Sequence, residues 1–109
     1  MKANNLFELI QMIINSDATL RGNGADQVTD WISSYSSIEA ATLASVLSIT
    51  AACEKNHNAL EAQLHAILEL TSTGQVNTEH ISHLREIHRG RLPTELQEYI
   101  TDLLDERPH

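Results

Sequence analysis

The chain has very little cysteine, glycine, proline and aromatic residue, and few basic side chains. A single cysteine, Cys53, in 109 residues excludes an internal disulfide framework and a cysteine-based zinc site. Aromatic residues make up only 4%, and Leu, Ile and Ala carry most of the apolar content, which favours helices over strands. No run of about 18 or more apolar residues occurs, so the sequence predicts no membrane span.

The charge balance is strongly acidic. Fifteen Asp and Glu residues stand against seven Lys and Arg residues, which gives a formal net charge of -8 at pH 7. Such a chain repels phosphate backbones, so we expect no direct nucleic-acid binding and consider a basic protein the natural partner. The N-terminal stretch MKANNLFELIQMIINSD has no small-residue cleavage site after its apolar block and is not typical of a signal peptide. We therefore expect a cytoplasmic location.

Apolar periodicity and capping signals predict a single all-α domain, residues 1–109, of about six helices. Two glycines in LRGNG, residues 20–24, are expected to break the chain. The stretch from Ala40 to Cys53 has no charged residue, and such a helix is usually covered on several sides. The predicted helices span approximately residues 5–15, 25–34, 37–53, 59–73, 78–90 and 94–106.

Helix starts and ends follow local signals. Ser36 with Glu39 is expected to form a capping box, and Gly74 to end the fourth helix. The predicted caps of helices four, five and six are Asn58, Asn77 and Thr94, the last forming a box with Gln97.

The predicted helices fall into three consecutive pairs. The pairs begin near residues 5, 37 and 78, a spacing of roughly 30 to 40 residues that is typical of stacked helical hairpins. We predict three stacked antiparallel hairpins in the manner of HEAT-like repeats, with a compact helical bundle as the alternative.

Residues 79–91, EHISHLREIHRGR, concentrate three histidines and three arginines. On an α-helical wheel His80 and His88 fall within the apolar arc and His83 lies at its edge. His80 and His88 are about 12 Å apart along such a helix, too far to share one ion. We expect histidines hydrogen-bonded at the edge of the core; metal binding by His80 and His83 is the minor alternative.

The last predicted helix is acidic on one side. Its carboxylates gather within about 100° of the wheel, opposite the apolar face, and no Lys or Arg occurs from Leu92 to Glu106. This face is interpreted either as a solvated surface or as a landing surface for a basic protein. Its residues are Glu95, Glu98, Asp102, Asp105 and Glu106.

Three residues of the second predicted helix are candidates to extend this surface. Asp26 and Asp30 are four residues apart and share an outer face, and Trp31 follows them. Large aromatic side chains are common binding anchors, although we expect Trp31 to lie in the core.

No sequence motif indicates catalysis. Phosphate-binding loops, dinucleotide fingerprints and nucleophile elbows are missing, so we predict that the protein is not an enzyme and uses no cofactor. Cys53 has His57 four residues later, but a nucleophile also needs an orienting group and a cleft. Cys53 is better interpreted as a small buried thiol.

In overall character the chain resembles bacterial immunity proteins that neutralise a cognate toxin. The resemblance rests on the helices SSIEAATLASVL and NALEAQLHAILEL and on the acidic segment TELQEYITDLLDE, without a diagnostic motif. It implies occlusion of a basic toxin, for example a nuclease, by an acidic surface. Alternative interpretations are a scaffold or adaptor subunit, a homodimer through an apolar face, and a histidine-based metal-binding protein.

Overall fold

The computed structural model describes residues 2–104, and within this range the regular structure is entirely helical. The all-α prediction is confirmed. The longest of three 3-10 segments replaces the predicted fifth α-helix. The α-helices are α1 (Ala3–Ile13), α2 (Ala18–Asp30), α3 (Ser37–Cys53), α4 (His57–Ser72) and α5 (Thr94–Leu103), and the 3-10 segments are Ile32–Ser34, Thr78–Glu86 and Arg89–Arg91.

The helices form two layers that follow the chain as successive hairpins. α1 packs against α2 and α3 against α4, while α1 also contacts α3 and α2 contacts α4. The 3-10 segment Thr78–Glu86 extends the α1–α3 layer by packing on α3, and α5 extends the other layer by packing on α4. The fold is therefore an all-α helical bundle. Its first two helix pairs pack as predicted, whereas the predicted third hairpin does not form as such, because Thr78–Glu86 packs on α3 and α5 packs on α4. None of the helices found in residues 2–104 has the length and hydropathy needed to cross a bilayer.

The core lies between the two layers and is aliphatic. Leu43 and Leu47 of α3 and Leu60, Leu64 and Ile67 of α4 are fully or almost fully buried within one continuous cluster. Burial of a side chain of this size contributes about 1.5–3 kcal/mol relative to leaving it in water. The two central helices therefore anchor the elements on either side of them.

Several predicted helix ends are confirmed. The capping box is present: the Glu39 backbone N–H donates to Ser36 Oγ over 3.2 Å and the Ser36 N–H donates to Glu39 Oε1 over 2.8 Å. Asn77 accepts a hydrogen bond from the backbone N–H of Glu79 over 3.0 Å. Gly74 has a φ of 80° directly after α4, a conformation that favours glycine.

Two predicted caps are wrong by one or two residues. Asn56, and not Asn58, caps α4 by accepting from the Ala59 N–H over 3.0 Å. α5 begins at Thr94 without a side-chain cap, and the Gln97 side chain instead donates to a backbone carbonyl of the preceding loop.

The predicted break at residues 20–24 is also wrong, because α2 begins at Ala18 and continues through both glycines. Gly24 is buried against α1, where a Cβ would lie 2.9 Å from Met12 Cβ and 3.0 Å from the Ile13 nitrogen. Glycine at this position allows two helices to approach closely and does not form a turn.

Residues 78–86 form a 3-10 segment and not an α-helix, with an irregular residue at Ile81. A 3-10 helix has about three residues per turn, so side chains spaced by three lie on one side. Ile81 and Leu84 are buried on that side and Ile87 is half-buried. The hydroxyl of Ser48 in α3 is shared between two carbonyl acceptors, that of Ser45 at 3.0 Å and that of His80 in the segment at 3.3 Å.

The α-helical wheel therefore misplaces one histidine. His80 is half-buried and its Nδ1 accepts from the Asn77 N–H over 3.2 Å, as expected at the edge of the core. His83 is exposed, with Nδ1 3.1 Å from Glu86 Oε2. His88, expected within the apolar arc, is exposed because it lies beyond the 3-10 segment.

A polar cluster joins the first two hairpins. Arg21 of α2 and Gln63 of α4 both donate to the carboxylate of Glu54, which lies between α3 and α4. Arg21 also donates to the carbonyls of Asn15 and Ser16 and so holds the loop between α1 and α2. The cluster thus connects two helices, α2 and α4, with the loops α1–α2 and α3–α4.

An acidic groove as the candidate functional site

The solvent side of the α2–α4–α5 layer carries a groove lined by carboxylates. It consists of two adjoining hollows of about 470 and 250 Å³ that share Tyr99. We call this region the acidic groove. Its acidic residues are Asp26 of α2, Glu61 of α4, and Glu95, Glu98 and Asp102 of α5.

The amphipathic pattern of α5 places its carboxylates in the groove. Leu96, Ile100 and Leu103 are buried towards α4. Because an α-helix turns about 100° per residue, Glu98 and Asp102 then point to the opposite side, and both are exposed. This part of the site matches the prediction from the sequence.

α4 contributes the middle of the groove in the same way. Its buried stripe includes Leu60 and Leu64, which leaves Glu61, His65 and Leu68 on the solvent side. Neither Glu61 nor His65 was predicted as a site residue. Their position opposite the leucine stripe was readable from the sequence, whereas their proximity to α2 and α5 depends on how the helices stack.

An aromatic and an imidazole ring lie at the junction of the two hollows. Tyr99 and His65 are both half-buried, and Tyr99 Oη lies 3.5 Å from His65 Nδ1. His65 Nε2 is also 3.9 Å from Glu69 Oε1, one helical turn further along α4. A protonated His65 would therefore have an acidic neighbour within its own helix.

The groove concentrates negative charge. Among residues 2–104, none of the side chains that line its two hollows belongs to Lys or Arg. Carboxylates gathered on one surface repel each other and attract cations, and a concave surface focuses this potential. Such a groove is chemically suited to binding Lys and Arg side chains.

The structure brings only some of the predicted surface residues together. Asp26 lines the same hollow as Tyr99. Asp30 is exposed one turn further along α2, outside the groove.

Trp31 lines a separate small hollow with Asn5 of α1. Trp31 is 42% exposed, so the prediction that it lies in the core is wrong. It follows the last residue of α2, where the chain leaves the α2–α4–α5 layer. Asp105 and Glu106 lie outside the described residues.

The thiol expected in the core is on the surface. Cys53 is exposed at the end of α3, on the side of the helix opposite its buried leucines. His57, the first residue of α4, is exposed as well. Among residues 2–104, no three His, Cys, Asp or Glu side chains converge in a geometry able to hold a metal ion.

The chain matches no protein-family model, and it has no significant match among curated proteins or solved structures.

Proposed function

We propose that this chain is an acidic protein-binding module whose acidic groove receives a basic segment of another protein. One observation carries the proposal: carboxylates from three separate helices lie around Tyr99 in a groove that, within the part of the chain that the structure describes, no Lys or Arg lines. Acidic residues that only keep a surface solvated can lie anywhere on the outside of the molecule. The carboxylates of the groove are instead gathered around a concave surface by the stacking of α2, α4 and α5.

The chemistry of the groove favours a cationic ligand. Lys and Arg side chains would meet carboxylates on both walls and the face or hydroxyl of Tyr99 at the junction, where cation–π contact adds about 0.5–1 kcal/mol at an exposed site. Charge complementarity of this kind mainly raises the association rate and the specificity, and it weakens as salt screens the charges.

We propose more specifically that this chain is an immunity-type inhibitor. A basic toxin, for example a nuclease with a cationic substrate channel, would present the charges that the acidic groove complements. Binding there would cover the channel and compete with nucleic acid for the same side chains. The net charge of -8 and the resemblance of three helical segments to immunity proteins support this form.

A growth assay with the product of the neighbouring reading frame tests the inhibitor. We expect that product to stop growth when expressed alone and growth to return when this chain is co-expressed. The double substitution Glu61→Lys and Glu98→Lys should abolish the rescue, while Glu8→Lys and Glu79→Lys, which place the same charge outside the groove, should preserve it. Rescue that survives the groove substitutions would refute the groove as the inhibitory surface.

A titration with a Lys- and Arg-rich peptide tests the binding module without reference to a toxin. Amide resonances of Glu61, Glu98 and Tyr99 should shift in a saturable way, and the dissociation constant should rise with salt. Shifts that are spread over the whole surface would contradict a defined site.

A further inference from the structure

The other layer of the molecule exposes an apolar stripe along α3. Ile38 is 79% exposed and Ile49 is 50% exposed, and Cys53 is exposed at the end of the helix. At about 100° per residue these three side chains lie on one side of α3, opposite the buried Leu43 and Leu47. This uncharged helix is covered on several sides, as expected, by α1, α4 and the 3-10 segment Thr78–Glu86, and the apolar stripe is the side that they leave exposed.

A hollow of about 440 Å³ lies at the C-terminal end of the stripe. Ile14, which follows α1, and Ile49 and Cys53 of α3 give it an apolar wall, and its remaining lining is polar and includes Lys55 and the Arg21–Glu54 ion pair. Ile14 is 58% exposed, although its side chain is apolar. The hollow thus offers a site for one aliphatic side chain of a second molecule.

The stripe is complementary to itself. Ile38 projects from the first turn of α3, and the hollow lies beside its last turn. The half-buried Ser45 occupies the middle of the helix, between them. Ile38 and Cys53 are each roughly 11 Å from that midpoint at a rise of about 1.5 Å per residue. A twofold axis through the middle of α3 would place Ile38 of each copy beside the hollow of the other.

We propose that this face is a homodimer interface in which α3 packs antiparallel against α3 of a second copy, with Ile38 inserted into the hollow formed by Ile14, Ile49 and Cys53. A twofold arrangement of this kind is the commonest symmetry of homo-oligomers, and it needs a surface that complements itself.

Charge distribution favours a second copy at this face. The chain carries a net charge of -8, so two copies repel each other across most of their surfaces. The segment from Ala40 to Cys53 has no charged residue, and antiparallel packing places Lys55 of one copy near the acidic first turn, which contains Glu39, of the other. The acidic groove belongs to the α2–α4–α5 layer and shares no residue with this face.

Cross-linking tests the antiparallel register directly. Ile38→Cys should form a covalent dimer with the native Cys53 of the second copy when oxidised glutathione accepts the two electrons. The two sites of one chain are about 22 Å apart along α3, whereas a disulfide needs Cα atoms within about 7 Å, so the bond cannot form within one molecule. Wild-type protein should stay uncross-linked, because its two Cys53 side chains lie at opposite ends of the interface.

Two controls separate a specific bond from random collision. Leu20→Cys also places a thiol in the first turn of a helix, one position later in α2 than Ile38 in α3, on an exposed side chain of the other layer. It should cross-link far more slowly. Ile38→Cys combined with Cys53→Ser should lose the dimer. Equal cross-linking of Ile38→Cys and Leu20→Cys would overturn the proposed register.

Light scattering coupled to size exclusion tests the dimer without cross-linking. Ile38→Gln should weaken dimerisation by at least about tenfold, because an uncharged amide would have to leave water and pack against the apolar wall of the hollow. Glutamine is a good helix former, so the fold should persist, and Leu20→Gln is the matched control. A wild-type protein that stays monomeric at high concentration would overturn the proposal. The partner of the α3 face would then be a different protein.

Discussion

Arg21 and Glu54 form a bidentate ion pair that joins α2 to the loop between α3 and α4. Arg21 Nε donates to Glu54 Oε1 over 2.7 Å and Nη2 donates to Oε2 over 2.8 Å. The Glu54 side chain is only 1% exposed, and its Oε1 also accepts from Gln63 Nε2 over 2.8 Å. Charge-assisted hydrogen bonds are roughly twice as strong as neutral ones, and the bidentate geometry ties the first hairpin to the second.

Removal of the Glu54 carboxylate should destabilise the fold. Glu54→Ala leaves the buried Gln63 amide without its acceptor and Arg21 without its partner. We expect the free energy of unfolding to fall by about 2–3 kcal/mol, the range for hydrogen bonds to charged groups. Urea denaturation followed by circular dichroism measures the loss. Glu61→Ala removes the same group from an exposed position of α4 and should change stability little; an equal loss in both variants would contradict a specific role for Glu54.

Acid should weaken the same cluster. Burial acts to raise the pKa of Glu54, but hydrogen bonds from Arg21, Gln63 and the Asn56 backbone outweigh it, so the pKa lies below its ordinary value of 4.5. A carboxylate whose pKa is lower in the folded than in the unfolded state contributes its full stabilisation at pH values above the unfolded-state pKa. This contribution is lost as the pH falls through the folded-state pKa.

The melting temperature should therefore drop below about pH 4.5. The drop should be shallower in Glu54→Gln, which cannot titrate at this position. Identical pH profiles for the two proteins would show that other carboxylates govern acid unfolding.

The two glycines of α2 should respond in opposite ways to alanine. A Cβ at Gly24 would lie 2.9 Å from Met12 Cβ and 3.0 Å from a backbone nitrogen of α1, so Gly24→Ala must separate the helices and should cost about 1–3 kcal/mol. A Cβ at Gly22 would lie 3.7 Å from Ala59 Cα, which is an ordinary contact. Gly22→Ala should gain up to about 1 kcal/mol through helix propensity. Thermal melts of the two variants should thus move in opposite directions.

Tyr35 should titrate at unusually high pH. Burial, followed by the negative charges of Glu39 and Asp30, raises its pKa to about 12, and its hydroxyl donates to the Val28 carbonyl over 3.0 Å. The raised pKa stabilises the folded state fully below the unfolded value of 10.0, and this contribution is lost as the pH rises towards 12. Ultraviolet absorbance of tyrosinate should show a late step that Tyr35→Phe removes. Loss of the hydrogen bond in that variant should cost about 1 kcal/mol.

The helices were predictable where the sequence has strong caps and regular apolar spacing. Ser36 and Glu39 mark the start of α3 by a local hydrogen-bond exchange, and Leu60 and Leu64 mark the inner face of α4. α2 was mispredicted because Gly22 and Gly24 are equally typical of a turn and of close packing between helices. The packing partner, Met12, lies on another helix, so local sequence cannot decide between them.

The sequence spacing in residues 78–87 indicates a 3-10 helix, but an α-helical wheel does not display this spacing. Ile81, Leu84 and Ile87 are each three residues apart, which is the period of a 3-10 helix. The acidic groove was predictable as a face of α5, with Asp26 as a candidate extension. Its completion by Asp26 and Glu61 depends on which helices become neighbours, and that information lies in long-range packing.

The separation of the two surfaces on different layers has a consequence for ligand capture. A dimer held through α3 would present two acidic grooves on its outer sides, each free to engage a basic segment. A ligand with two suitably spaced cationic segments would bind the second groove at a high effective concentration once the first was filled. Its residence time would then depend on dimer stability, although no residue of the interface would touch it.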